Sequence, residues 1–259
     1  MKTPKTLYKY YSLANPKRIA AAEALITRNE IFRANPATHF NDPFDCKPFF
    51  RAVDVHSKDY EQAFYAKLAH LPKWQVAKML SLKRADPNEQ IVINLGLFKM
   101  QNAFSETSSV FCMTEKPDNL LMWSHYADSH KGICIGFNIA DETDFLSHAH
   151  PVSYSSKYPF FDPVAEKDGQ IVMEKCFLTK AKDWEYEAEW RVVFYKMPSG
   201  TSPIKPSNLI SVILGARASI DSKQLVRRWL STRNDKLKIS EASFVSGEFA
   251  LRMKPILDE

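Results

Sequence analysis

The chain has 259 residues, 45% of them hydrophobic and 25% charged, which is typical of a globular domain and excludes a low-complexity or disordered chain. Its formal net charge of +5 is small for this length, so a role in binding nucleic acid would need a local basic patch. A chain of this size can bury a sizeable core, and we expect a single domain over residues 1–259.

The sequence also predicts a cytoplasmic protein without a membrane anchor. No apolar run approaches the roughly 20 residues that span a bilayer, and the opening segment MKTPKTLYKYYSL lacks the apolar core of a signal peptide. Cys46, Cys112, Cys134 and Cys176 are far apart and form neither a CxxC pair nor a zinc-spaced cluster with histidine. We therefore expect reduced thiols and no metal site.

Along the chain, helical and strand patterns alternate. Asn15 followed by Pro16 predicts the start of a helix, because asparagine caps a first turn and proline fits inside it. Helical periodicity dominates residues 57–106, with a break at Asp86-Pro87, and predicts a helical insertion or lobe. Strands are predicted at 6–13, 31–35, 110–115, 132–139, 151–155, 188–195 and 209–215, with further strands near the end of the chain. This mixture predicts an α+β fold with flanking helices around a mixed, largely antiparallel sheet.

Three stretches carry groups of polar side chains that could form a functional site. The first is FNDPFD, residues 40–45, which predicts a tight turn because Pro43 fixes its own φ and Asn and Asp bond neighbouring backbone. Such a turn holds the oxygen atoms of Asn41, Asp42 and Asp45 in fixed positions. A well-formed structural turn would have the same sequence, so both interpretations stay open.

The second stretch, LLMWSHYADSHKGICIGF at residues 120–137, predicts a short helix followed by a buried strand. Trp123 and Tyr126 could form a stacking wall for a planar ligand. His125, His130 and Lys131 could donate hydrogen bonds to a phosphate or carboxylate. A single histidine is more often a packing residue, but the crowding of these five side chains favours one wall of a ligand pocket.

The third stretch is WEYEAEWRVVFY, residues 184–195, whose strict alternation predicts a strand with Glu187, Glu189 and Arg191 on one face. Neighbouring carboxylates on one face repel one another unless a cation or ligand lies between them. Glu187 and Glu189 are therefore the best acid/base candidates in the chain, although a solvated strand face would show the same alternation.

A fourth stretch is basic. SKQLVRRWLSTRNDKLK, residues 222–238, predicts an amphipathic helix that could contact nucleic acid through its cations. A solvent-exposed basic face without a ligand is the more common structure for such a pattern.

The motifs LYKYYS, FNDPFD, MWSHYADSHKGICIGF and WEYEAEWRVV, in this order, resemble the bacterial domain-of-unknown-function family numbered 2971. The resemblance covers roughly residues 7–215. It implies that the three polar stretches form one shared site, and it leaves the activity open.

A weaker resemblance at the level of the fold connects the chain with ADP-ribosyltransferases. In that group an early strand and a second strand hold the nicotinamide ribose and ring, and a late-strand glutamate assists transfer. The resemblance implies NAD as a substrate, with Tyr8, Lys9 and Tyr10 on the first strand and Arg33 on the second. Arg33, Lys131 or Arg191 could then contact the pyrophosphate, since guanidinium and ammonium groups suit phosphate oxygens. Glu187-Ala188-Glu189 is similar to the Glu-x-Glu pattern, which implies that Glu189 is the catalytic carboxylate. The first strand has YKYY where the pattern shows His-Gly or Arg.

Two alternatives from other classes stay open. A metal-dependent nuclease or hydrolase could use His125 or His130 as its base, with Asp42, Asp45, Glu187 and Glu189 around a divalent cation. A non-catalytic module could bind a nucleotide or a partner protein, with Trp123 and Tyr126 as anchors. A role as a toxin or defence protein would suit a small bacterial enzyme of this kind. The sequence leaves the oligomeric state and the acceptor undefined.

Overall fold

The chain folds into two compact units in a computed structural model that describes residues 4–47, 49–162 and 168–256. The first unit comprises Met1–Ala34, Ser109–Val152 and Asp183–Glu259, and the second comprises Asn35–Ser108 and Ser153–Lys182. The second unit thus interrupts the first twice along the sequence. The expected single domain stays a prediction.

The secondary structure alternates throughout the described residues. The α-helices are α1 (Pro16–Arg28), α2 (Pro36–His39), α3 (Lys58–Lys67), α4 (Lys73–Ala85), α5 (Glu89–Thr107), α6 (Leu120–Tyr126), α7 (Gly169–Phe177) and α8 (Ile220–Leu230). The strands are β1 (Thr6–Tyr11), β2 (Glu30–Arg33), β3 (Phe49–Phe50), β4 (Ser109–Thr114), β5 (Ile133–Asn138), β6 (His150–Pro151), β7 (Ser153–Ser155), β8 (Phe160–Phe161), β9 (Thr179–Ala181), β10 (Glu189–Phe194), β11 (Gly200–Pro203), β12 (Leu209–Leu214), β13 (Lys238–Phe244) and β14 (Leu251–Pro255). Short 3₁₀ helices span Phe145–His148, Lys182–Glu187 and Pro206–Asn208.

The main sheet belongs to the first unit. Eight strands among the described residues lie in the order β14-β13-β12-β5-β1-β4-β10-β6. Neighbouring strands are antiparallel except for the parallel pair β12 and β13. The predicted α+β class with a mixed, largely antiparallel sheet is confirmed, and β14, expected from the tail sequence, lies at one edge.

Both faces of this sheet bury apolar side chains. On one face, α1 and α8 contribute Leu25 and Trp229 to the larger hydrophobic core. α1 starts as expected, because the Asn15 side chain accepts hydrogen bonds from its first turn and Pro16 follows. On the other face, α6 packs over a smaller core that contains Tyr10 and Trp123. The face covered by α6, called the α6 face below, carries most of the predicted site residues.

The second unit contains the predicted helical stretch. α3, α4 and α5 occupy residues 58–107, and the expected break at Asp86-Pro87 separates α4 from α5. Two small parallel pairs, β3 with β8 and β7 with β9, complete the unit together with α2 and α7. None of the helices among the described residues is long and apolar enough to cross a membrane.

Candidate functional site

A row of polar side chains crosses the sheet on the α6 face. Glu189 of β10 pairs with Thr114 of β4, and Thr114 pairs in turn with Tyr8 of β1. Side chains of directly paired residues share one face of a sheet. Two residues after Tyr8, the ring of Tyr10 meets Trp123 of α6 edge-on at 5.1 Å between centroids. The register therefore brings Tyr8, Thr114 and Glu189 to the same face as α6.

Glu189 forms a two-bond fork with Arg191. Arg191 Nε and Nη2 donate to the two carboxylate oxygens of Glu189 at 2.8 Å each. The side chain of Arg191 is 0% exposed and that of Glu189 is 6% exposed, so the pair is buried. Burial raises the pKa of the neighbouring Cys112 thiol, and the charge of Glu189 adds to that effect. The fork stabilises a carboxylate charge that would otherwise be costly inside the protein.

Glu187 is placed differently from the prediction. Residues 182–187 form a 3₁₀ helix, and Ala188 has a φ of 42°, so the expected continuous strand over 184–195 begins only at Glu189. Because the backbone turns here, Glu187 and Glu189 do not follow the alternation of one strand. Glu187 instead accepts a hydrogen bond of 2.6 Å from Tyr126 Oη and is 3% exposed.

Two polar residues that the sequence analysis did not single out fix this arrangement. The side-chain oxygen of Asn119 caps α6 by accepting from its first-turn backbone at 2.9 and 3.1 Å. The same side chain donates through Nδ2 to the carbonyl of Tyr186 at 2.9 Å. Thr114 Oγ1 donates to the carbonyl of Glu187. An asparagine just before a helical segment is a sequence signal for the helix cap, so the cap at Asn119 could have been predicted. The hydrogen bond from Asn119 to Tyr186 depends on the tertiary fold.

Aromatic rings extend from the carboxylate pair along the surface. His125 lies 6.4 Å from Tyr126 and 6.4 Å from Tyr186 between ring centroids, and Trp184 lies 6.1 Å from Tyr186. His125 is exposed, and the other three rings are partly buried. Partly exposed rings beside buried carboxylates form a surface on which a planar ligand could stack.

Trp123 and Tyr10 are core residues in the structure. Trp123 is fully buried, and its Nε1 donates to the carbonyl of Pro117 at 2.8 Å. Tyr10 donates through Oη to the carbonyl of Lys116 at 2.7 Å, and burial raises its pKa. The stacking wall predicted from Trp123 and Tyr126 therefore retains only Tyr126 at the surface.

His130 lies in the turn after α6 and packs against the rings of Trp123 and Phe244. Its ring is stacked on Trp123 at 6.2 Å and lies 5.6 Å from Phe244, and its Nε2 is 3.3 Å from Ser124 Oγ. Burial, and then the charge of Arg217, lower the pKa of His130. The contacts indicate a packing role for this histidine, while Lys131 beside it is exposed.

The turn that holds His130 has an unusual backbone. Asp128, Ser129 and His130 have φ values of 49°, 52° and 70°, a backbone conformation that residues other than glycine rarely adopt. Two glycines make room for it. A Cβ on Gly132 would lie 2.1 Å from the carbonyl oxygen of Tyr11, and one on Gly215 would lie 2.1 Å from that of His130. The chain thus reverses before β5 in a tightly packed turn.

Gly136 has a comparable role beneath Tyr8. A Cβ at Gly136 would lie 2.3 Å from Ser211 Oγ and 3.1 Å from a ring carbon of Tyr8. The absence of a side chain at Gly136 leaves room for the Tyr8 ring beside β5, and burial raises the pKa of Tyr8.

Two predicted ligand-binding cations lie elsewhere. Lys9 pairs with Ile135 and points to the larger core, with Nζ 4.6 Å from the Phe111 ring centroid and bonded to the Cys112 carbonyl at 2.7 Å. Burial lowers its pKa. Arg33 donates to Ser109 Oγ at 3.2 Å and to the carbonyl of Pro198 at 3.0 Å. Its guanidinium therefore connects β2 to the start of β4 and to the segment after β10. Neither side chain belongs to the row on the α6 face.

The FNDPFD turn belongs to the second unit. Asp42 accepts from the backbone N–H of Phe44 at 2.8 Å, as expected for a turn stabilised by aspartate. Asp45 is buried and lies 3.6 Å from Lys180 Nζ, whereas Asn41 is exposed. That this turn completes a pocket with the other two stretches stays a prediction.

The basic stretch 222–238 is only partly helical, because α8 ends at Leu230. Val226 and Trp229 form the expected buried face. Lys223 pairs with Glu241 at 2.7 Å, and Arg233 pairs with Asp235 at 2.7 Å. Binding of nucleic acid by the remaining cations stays a prediction. Across the residues that the structure describes, no three His, Cys, Asp or Glu side chains cluster closely enough to hold a metal ion.

Residues 122–192 match the family model DUF2971, whose description is a protein of unknown function. This match confirms the predicted family resemblance over a segment that contains Tyr126, Glu187, Glu189 and Arg191. Comparison with curated proteins and with solved structures gave no match.

Proposed function

We propose that the chain is an ADP-ribosyltransferase-like enzyme that uses NAD and reacts on the α6 face of the first unit. The observation that carries the proposal is the pair Glu187 and Glu189, two buried carboxylates that are each oriented by a donor, Tyr126 or Arg191. The rings that extend from Tyr126 give a nicotinamide ring a surface on which to stack.

The chemistry assigns a separate task to each carboxylate. When the bond between ribose C1′ and nicotinamide breaks, its electron pair leaves with nicotinamide and positive charge develops on the ribose. By the Glu-x-Glu resemblance, Glu189 stabilises this charge. The acceptor then attacks C1′ and releases a proton, for which Glu187 is the base. Tyr126 orients Glu187 through its 2.6 Å hydrogen bond.

Arg191 has two opposing effects in this scheme. Its fork fixes both oxygens of Glu189 and favours the charged carboxylate. The same guanidinium charge weakens the attraction that a positively charged ribose would feel.

The test is incubation of the full chain with NAD, followed by chromatography for nicotinamide and mass spectrometry for adducts. Glu189→Gln should abolish nicotinamide release, and Glu187→Gln should reduce transfer to the acceptor more than cleavage of NAD. Glu185→Gln is the matched control, since Glu185 is exposed on the same 3₁₀ helix. Absence of release together with absence of thermal stabilisation by NAD would refute the proposal.

A non-catalytic binding module is the second candidate. The pair of Arg191, which is completely buried, with Glu189 also fits a purely structural ion pair. In that case nucleotide binding should persist in Glu189→Gln without release of nicotinamide. The metal-dependent hydrolase, with the exposed His125 as the base, predicts instead cleavage of a nucleic acid that requires Mg²⁺ and stops with a chelator. Arg227→Ala/Arg228→Ala would test nucleic-acid contact by the basic stretch.

A further inference from the structure

Four large aromatic side chains of the second unit are exposed on neighbouring segments. Phe44 is 63% exposed, Phe49 57%, Phe160 50% and Tyr158 44%. Rings of this size are usually buried, and together these four define a surface that we call the aromatic patch. An exposed group of this kind marks a site of interaction.

The backbone holds the aromatic patch in a fixed arrangement. β3 and β8 pair in parallel, which places Phe49 opposite Phe160, while Phe50 and Phe161 pair on the buried side with ring centroids 5.1 Å apart. Because side chains alternate along a strand, burial of this second pair keeps Phe49 and Phe160 on the outer side.

The turn and the segment before β8 extend the patch. The Phe44 ring meets the Tyr158 ring edge-on at 5.6 Å. Tyr158 Oη also donates to the carbonyl of Lys47, which ties the two segments together. Strand pairing, the ring contact and this hydrogen bond thus fix the segments that carry the exposed rings.

Positive charge surrounds the aromatic patch. Lys175 Nζ lies 5.5 Å from the centroid of the Phe160 ring. Lys47, Arg51 and Lys157 lie on the same two segments as the rings, and Asp162 offsets Arg51 through a contact of 3.4 Å. The other two acids of these segments, Asp42 and Asp45, are both buried, and the charge of Asp42 adds to burial in raising the pKa of Tyr158.

We propose that the aromatic patch binds single-stranded nucleic acid, with its rings stacking on bases and its lysines contacting phosphates. Exposed aromatic side chains interleaved with cations are the combination that single-strand binding surfaces use. An apolar protein partner would not require the surrounding cations. The basic stretch 222–238 differs in this respect, because its Trp229 is buried and it offers charge without stacking. This inference is independent of the proposed reaction with NAD.

The test measures fluorescence anisotropy of a labelled single strand of about 12 nucleotides, as DNA and as RNA, titrated with the full chain. Binding should be tighter than to a duplex of the same sequence and should weaken as salt rises. Phe49→Ala and Phe160→Ala should each weaken binding roughly 5- to 150-fold. Phe249→Ala, a change at a completely exposed phenylalanine of the first unit, should leave binding unaltered.

Further variants separate the alternatives. Lys47→Ala/Lys157→Ala should reduce the salt dependence of binding even if a phenylalanine variant folds poorly. Lack of binding at low salt, or equal affinity for duplex, would overturn the proposal. So would loss of binding in Arg227→Ala/Arg228→Ala alone. A dimer in light scattering that Phe49→Ala dissociates, with oligonucleotide binding unchanged, would assign the patch to a second copy of the chain.

Discussion

At the scale of single residues, the hydrogen bond from Tyr126 to Glu187 is the contact that most directly supports the candidate site. Tyr126→Phe removes the donor and leaves a buried carboxylate with one partner fewer. We expect a loss of about 1–3 kcal/mol in the free energy of unfolding, measured by urea titration, because a buried acceptor keeps its desolvation cost when a donor disappears.

A double-mutant cycle with Glu187→Gln separates this contact from general effects of the substitutions. The loss in Tyr126→Phe should shrink when Glu187 is already an amide, since the charged acceptor is then absent. Equal losses in both backgrounds would show that the two side chains are not energetically coupled.

His130 provides a prediction about pH. Burial and the charge of Arg217 lower the pKa of His130, whereas a histidine in the unfolded chain has a pKa of about 6.5. As pH falls below that value, the unfolded state takes up the proton first, so the stability of the folded state declines. His130→Gln should flatten the change in urea midpoint between about pH 7.5 and about pH 5.5. An unchanged pH profile in this variant would contradict the assignment.

At the scale of elements, Asn119 joins α6 to the 3₁₀ helix Lys182–Glu187 with a single side chain. Asn119→Asp keeps an acceptor for the helix cap and loses the donor to Tyr186, whereas Asn119→Ala loses both. The alanine variant should therefore lose about 1 kcal/mol more in stability than the aspartate variant, by urea unfolding. If the two variants lose the same amount, the cap contributes nothing measurable.

The same 3₁₀ helix shows where sequence patterns fail. The alternation in WEYEAEWRVV is typical of a strand, and residues 189–194 do form β10. The first half has the same alternation but a different backbone, since Ala188 adopts a φ of 42° and the carbonyl of Glu187 bonds Thr114. The donor Thr114 belongs to β4, which is distant in sequence, so the periodicity of the hydrophobic pattern alone cannot reveal this bond.

At the scale of the whole molecule, local patterns predict individual elements, whereas the grouping of the elements depends on contacts between distant segments. Capping at Asn15, the break at Asp86-Pro87 and the apolar strand at 133–138 are local features, and all are present. The division into two units depends on contacts between segments such as Asn35–Ser108 and Ser153–Lys182, which are far apart in the chain. The opposite orientations of Lys9 and Tyr8 also follow from strand register and not from residue type.

The four thiols can report on the two units separately, because Cys112 and Cys134 belong to the first and Cys46 and Cys176 to the second. Burial raises the pKa of Cys176 to about 12 and also raises the pKa of Cys112 and Cys134. Alkylation requires the thiolate, so iodoacetamide should label the folded chain slowly at about pH 8.

Labelling in increasing urea, followed by mass spectrometry of each cysteine peptide, should make the two thiols of one unit reactive over the same range of urea. The physical reason is that each compact unit loses its buried core cooperatively, so both thiols gain solvent access in one transition. Rapid labelling of Cys134 or Cys176 without urea would contradict their burial. Exposure of Cys46 at a lower urea concentration than Cys176 would show that the turn at 40–45 opens before the rest of the second unit unfolds.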